Sequence, residues 1–112
     1  EGTFEEMFIF RNNLEASYYK GFMYETYMDG DHSIFKIVNN NTESDKRIVV
    51  IKDSYANALV PYLAMVTKEI VMIDPRWYED SMQNYIEDYN PDAVVLVYNP
   101  GAYLEEVFFD FD

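Results

Sequence analysis

From Arg47 onward, short continuous apolar runs take turns with stretches of helical spacing. After Arg47, "RIVVI" (47–51) is a continuous β-branched run, the pattern of a strand buried on both faces of a parallel sheet, while "EIVMI" (69–73) reads as a second buried strand and "AVVLVY" (93–98) as a third strand. Between the first two, residues 54–67 place Ala56, Leu59, Val60, Leu63 and Ala64 on one helical face. Pro61 falls inside that stretch and is expected to kink the helix or restart it, because it lacks an N–H and crowds the preceding turn. Residues 79–89 read as a second helix and 102–109 as a last one. The order β-α-β-α-β-α over 47–112 predicts a parallel sheet with helices packed on it, and right-handed crossovers limit its topology.

Residues 1–46 differ in style. "MFIFRN", "GFMYETYM" and "HSIFKIV" alternate as strands do, and Asp29-Gly30-Asp31 reads as the turn between the last two. Residues 12–19 are a short helix or a loop, and "NNNTESDK" (39–46) is a polar surface loop. The expectation is a single α/β domain in which short antiparallel strands precede a parallel three-layer part.

Length supports this, since 112 residues suffice for one domain with one core. With 49% apolar and 18% aromatic residues, the chain is not disordered despite its charge. A formal charge of −13 excludes nucleic acid and anionic membrane surfaces as partners, because phosphates are repelled. No Lys or Arg follows Arg76, whereas Glu79, Asp80, Glu87, Asp88, Asp92, Glu105, Glu106, Asp110 and Asp112 do. The absence of cysteine removes disulfides, thiolate catalysis and cysteine-held metals. No apolar run approaches the roughly 20 residues of a membrane span, so membrane insertion is not expected. The chain starts at Glu1 without a methionine and reads as a piece of a longer protein.

Candidate chemistry lies where the three strands end. Parallel pairing would carry Lys52-Asp53-Ser54, Asp74-Pro75-Arg76 and Asn99-Pro100-Gly101 to one edge, where open α/β sheets bind ligands. Ser54 admits two readings: a helix N-cap contributing about 1 kcal/mol, or a nucleophile beside helix-start N–H groups that stabilise an oxyanion. Arg76 anchors a carboxylate or oxyanion, or pairs with one of the many acids. Asn99 offers its amide to an oxyanion or opens the turn before Pro100. Lys52 and Asp53 are candidate substrate contacts or merely pair with their surroundings. Tyr55, Trp77 and Tyr78 form a platform for a sugar ring or roof the core. His32, the one histidine, sits in "DGDHS", and nothing in the sequence directs it toward Ser54. A calcium loop around Gly30 lacks its closing Glu, and neither a P-loop nor a dinucleotide glycine pattern occurs. No metal and no cofactor is expected.

At "RIVVIKDSYANALVPYLA" and "EIVMIDPRWY" the chain resembles the DHHW proteins, named for an Asp-His-His-Trp motif. These are exported bacterial relatives of the SGNH hydrolases and of the alginate O-acetyltransferase group. The resemblance covers roughly residues 24–100 and is weaker in "DHSIFKIVNNN". It implies part of an SGNH or flavodoxin-like three-layer fold, with Ser54 as nucleophile, Arg76 as the arginine after the next strand and Asn99 at the oxyanion position. It further implies an extracytoplasmic esterase or O-acetyltransferase acting on acetyl esters and cell-envelope polysaccharide. The Asp-His-His-Trp block, which precedes the serine and supplies acid and base, does not occur in this chain. Two explanations fit: the block lies in residues outside the chain, or the protein kept the fold and lost catalysis. In the latter case the expectation is a glycan- or protein-binding module using Tyr19, Tyr24, Tyr27 and Trp77. A partner chain or further segment would cover the free sheet edge.

Overall fold

The computed structural model describes residues 32–112, apart from the side chain of Tyr103. Four strands, β1 (Ile34–Val38), β2 (Arg47–Lys52), β3 (Glu69–Ile73) and β4 (Ala93–Val97), form one sheet in the order β1-β3-β2-β4. β2 runs parallel to both β3 and β4, while β1 is antiparallel to β3. The mixed α/β fold with a mostly parallel sheet is therefore as the sequence pattern predicts. "MFIFRN", "GFMYETYM", residues 12–19 and the turn at Gly30 lie outside the described residues.

Two helices cover the two faces. Helix α1 (Val60–Ala64) packs Val60 and Ala64, with Ala56, on Ile48, Val50, Ile70 and Met72. Helix α2 (Met82–Tyr89) sets Met82, Tyr85, Ile86 and Tyr89 against Val49, Ile51, Val71 and Ile73. Odd and even residues of β2 and β3 thus serve opposite layers, which explains their unbroken apolar runs. Pro61 occupies the first turn of α1, after a separate 3-10 segment at Ser54–Ala58. The expected helix over 54–67 restarts there, because proline's missing N–H costs nothing in a first turn. Ser81 Oγ caps α2 by accepting from Asn84 N at 3.1 Å, and Asn90 ends it at φ 49° in the left-handed region.

One expectation fails. The helix predicted over 102–109 is instead a pair of 3-10 turns, Pro100–Leu104 and Glu106–Phe108, separated by the extended Glu105. Aromatic anchoring fixes this segment: Phe108 is buried, and Tyr98 lies 4.8 Å from its ring. Strand β4 forms where the third strand is expected, with Val94, Val95 and Leu96 exposed at 42%, 37% and 51%. It is the terminal strand of the described sheet, and α1 and α2 centre their packing on β2 and β3.

At the amino end of β3, Glu69 Oε2 accepts from the Tyr89 hydroxyl at 2.7 Å and pairs with Lys36 Nζ at 2.8 Å. The Arg47 guanidinium lies 4.0 Å from the Tyr89 ring centroid. Lys36 first, then Tyr89, hold the Glu69 carboxyl below the usual range. A depressed folded value means stability that is present above the unfolded value, about 4.3, and lost as pH falls through the folded one. Replacing Glu69 by Gln is expected to cost at most about 1 kcal/mol near neutral pH, the pair being partly solvated. Urea unfolding should also show a flatter acid limb in the variant.

Candidate active site

Helix α1 carries the chain from β2 to β3 over one face of the sheet, and α2 carries it from β3 back across β2 to β4 over the other. The strand order therefore reverses about β2, and the carboxyl end of β2 is the switch point where such sheets open a crevice. Ser54 opens the 3-10 segment immediately beyond that end. Arg76 lies in the turn after β3, and Asn99 two residues beyond β4. All three thus leave one edge, from three neighbouring parallel strands.

Two buried carboxylates organise this edge. Asp53 is 1% exposed, and its Oδ1 accepts from Tyr55 N at 2.8 Å. Its Oδ2 accepts from Asn99 N at 2.9 Å and also from the Asn99 side-chain amide. The N-cap of the 3-10 segment is consequently Asp53, not Ser54, because Asp53 has the extended backbone (φ −105°, ψ −174°) that a cap requires. Asn99 is itself a cap, with Oδ1 accepting from Gly101 N at 2.7 Å. A Cβ at residue 101 would stand 2.9 Å from that oxygen, so glycine permits the close turn.

Asp74, fully buried, accepts from Arg76 N at 3.1 Å, Arg76 Nε at 2.9 Å and the Arg76 terminal guanidinium nitrogen at 2.6 Å. Lys52 Nζ, on a side chain 1% exposed, reaches the same carboxylate at 3.3 Å. Two cations therefore converge on Asp74, which lowers the cost of burying its charge. Tyr98 feels both acids: burial first, then Asp53 and Asp74, push its phenol up to about 12. Its hydroxyl donates to the Phe108 carbonyl at 2.8 Å.

The sequence-predicted residues separate accordingly. Tyr55 and Trp77 are exposed at 51% and 61%. Tyr78 instead joins the core on the α2 side, edge-on to Tyr85 at 6.3 Å, and roofs it. Lys52 and Asp53, candidates for touching substrate, are buried and hold Asp74 and Asn99 instead. His32 precedes antiparallel β1, whose first residue pairs with Ile73, so the histidine reaches the same edge. Strand β3 stands between β1 and β2, about 10 Å across two strand spacings, and the His32 ring stacks on Phe35 at 5.1 Å. Asp74 and Gly101 stand in the strand-end clusters of the sequence with nothing local to mark their roles. An acid following each of two buried strands was the available signal. Tyr19, Tyr24 and Tyr27 lie outside the described residues.

Solved structures bear on the class of protein that this fold defines. The chain is similar to a DHHW family protein from Eubacterium siraeum, with a TM-score of 0.69 and 28% identity over 77% of this chain and 29% of that one. The resemblance to the DHHW proteins read from "VIKDSYANALVPYL" and "IDPRWY" is thereby shown. It is similar as well to Bacillus cereus PatB1, with a TM-score of 0.75 and 31% identity over 100% of this chain and 35% of that one. A structure of PatB1 with a sulfonyl adduct matches at a TM-score of 0.69 and 36% identity, over 80% of this chain and 30% of that one. The chain spans about a third of the length of these solved chains. No protein-family model and no curated protein matches it.

Proposed function

We propose that this chain is the serine-bearing part of an SGNH-like domain of the esterase or O-acetyltransferase type, exported and acting on cell-envelope polysaccharide. The observation that carries the proposal is the position of Ser54 at the switch point, with Arg76 and Asn99 leaving the same edge from the two flanking strands. The sulfonyl adduct of PatB1 supports it, since such adducts form on nucleophilic groups. In the reaction Ser54 Oγ attacks the carbonyl carbon of an acetyl ester while its proton passes to a base. The alcohol leaves and an acetyl-serine remains, from which a glycan hydroxyl takes the acetyl group. The Asn99 amide and the Ser54 N–H at the start of the 3-10 segment hold the oxyanion, and Arg76 adds positive charge beside it.

Among the described residues no histidine contacts Ser54, so the chain alone is expected to turn over p-nitrophenyl acetate no faster than buffer. Excess imidazole supplies the missing base, and Ser54 is then expected to become acetylated, as read by peptide mass spectrometry. Acetylation that persists elsewhere in Ser54→Ala and never appears on Ser54 would overturn the assignment.

The exposure of Tyr55 and Trp77 favours a second reading, a non-catalytic module that binds glycan or a protein partner. Binding on a glycan array that survives Ser54→Ala and fails in Trp77→Ala would select it over the first.

A further inference from the structure

We infer that Asp53 is a positioning residue that aims the Asn99 amide at the space over Ser54; this rests on the proposed role of Asn99 as an oxyanion donor. The two oxygens of Asp53 do different work. Oδ1 holds Tyr55 N and so shapes the backbone that carries Ser54. Oδ2 holds both the backbone N and the side-chain amide of Asn99, from a residue 46 positions away. One buried carboxylate therefore ties the turn after β2 to the turn after β4 across two adjacent strands.

Asn99 is held from the opposite side as well. Its Oδ1 accepts from Gly101 N at 2.7 Å, so the amide plane is fixed at both ends and cannot flip without breaking both bonds. An amide nitrogen carries two hydrogens. One is committed to Asp53, and the planar geometry then dictates where the second points. A donor fixed in advance costs no reorganisation as the oxyanion develops, which is the condition for strong electrostatic stabilisation. A carboxylate is required at 53, because Oδ2 faces two donors. In Asp53→Asn one oxygen can still cap the segment at Tyr55 N, but an NH2 group would confront the Asn99 donors. That variant therefore separates the cap from the clamp.

The test uses the 112-residue chain with excess imidazole as base and phenylmethanesulfonyl fluoride as probe. Ser54 Oγ bonds to sulfur, fluoride leaves, and the serine proton passes to imidazole. Intact-mass kinetics are compared for wild type, Asp53→Asn, Asn99→Ala and the double variant. Asn99→Ala is expected to slow sulfonylation by on the order of 100-fold, and Asp53→Asn by at least about tenfold. The double variant should be no slower than Asn99→Ala alone, because Asp53 acts through Asn99. A merely structural role is separated by the NMR signal of the Asn99 side-chain amide: two well-dispersed, exchange-protected protons in wild type, collapsing in Asp53→Asn while the rest of the spectrum stays folded. Should Asp53→Asn not fold, Asp53→Glu keeps the charge, displaces it by one methylene, and is read in the same way.

If Asn99→Ala slows the reaction and Asp53→Asn does not, the positioning role is wrong and the catalytic reading stands. Slowing that multiplies in the double variant overturns it too. If Asn99→Ala leaves the rate unchanged, the catalytic role of Asn99 falls, and the inference with it.

Discussion

Replacing Asp74 by alanine is expected to remove about 3–5 kcal/mol of stability, the cost of stripping one partner from a buried ion pair. Asp74 is fully buried and receives Lys52 Nζ and three Arg76 nitrogens. Arg76, 28% exposed on its side chain, can swing its charge toward water, but Lys52, at 1%, cannot. The buried ammonium therefore bears part of the loss. Combining Asp74→Ala with Lys52→Met should recover part of it, since removing both charges restores an apolar strand end. Urea unfolding of the two singles and the double measures the coupling. A loss below about 1 kcal/mol for Asp74→Ala would show that the Lys52 charge is satisfied elsewhere.

Truncating Ile51 to alanine is expected to cost about 2–5 kcal/mol, the range for a cavity opened in a packed core. Ile51 is fully buried in the central strand, paired with Ile73 on one side and Leu96 on the other, and roofed by α2. Leu96 is the informative control. It carries the same kind of side chain on the neighbouring strand yet is 51% exposed, so Leu96→Ala should stay within about 0.5 kcal/mol. Equal losses at the two positions would mean that something covers β4 in solution. Thermal or urea unfolding of the pair decides it.

Lys52 and Val97 show how differently legible the elements were. Val97 belongs to an apolar run that any parallel strand displays, and strands β2, β3 and β4 were all readable for that reason. Lys52 ends a similar run, yet a lysine is ordinarily solvated, and its buried ion pair with Asp74 across the sheet leaves no trace in the local pattern. Ser54 was expected as a cap or a nucleophile from its place after a strand. Which residue takes the cap was decided by backbone angles that neighbouring Asp53 and Ser54 could each have supplied.

The sequence by itself determined the α/β class, the three parallel strands, the restart at Pro61 and the three polar clusters at the strand ends. Each of these follows from local propensity or from whether a residue's own side chain meets water, and both leave a periodic trace along the chain. Tertiary structure alone decided that β2 lies at the centre, that β4 is exposed, that His32 arrives at the same edge, and that Asp53 and Asp74 hold Asn99 and Arg76. Those facts concern which distant residue stands opposite which. A hydrogen bond between positions 53 and 99 costs the chain no change of pattern at either end, so nothing short of the folded sheet reveals it.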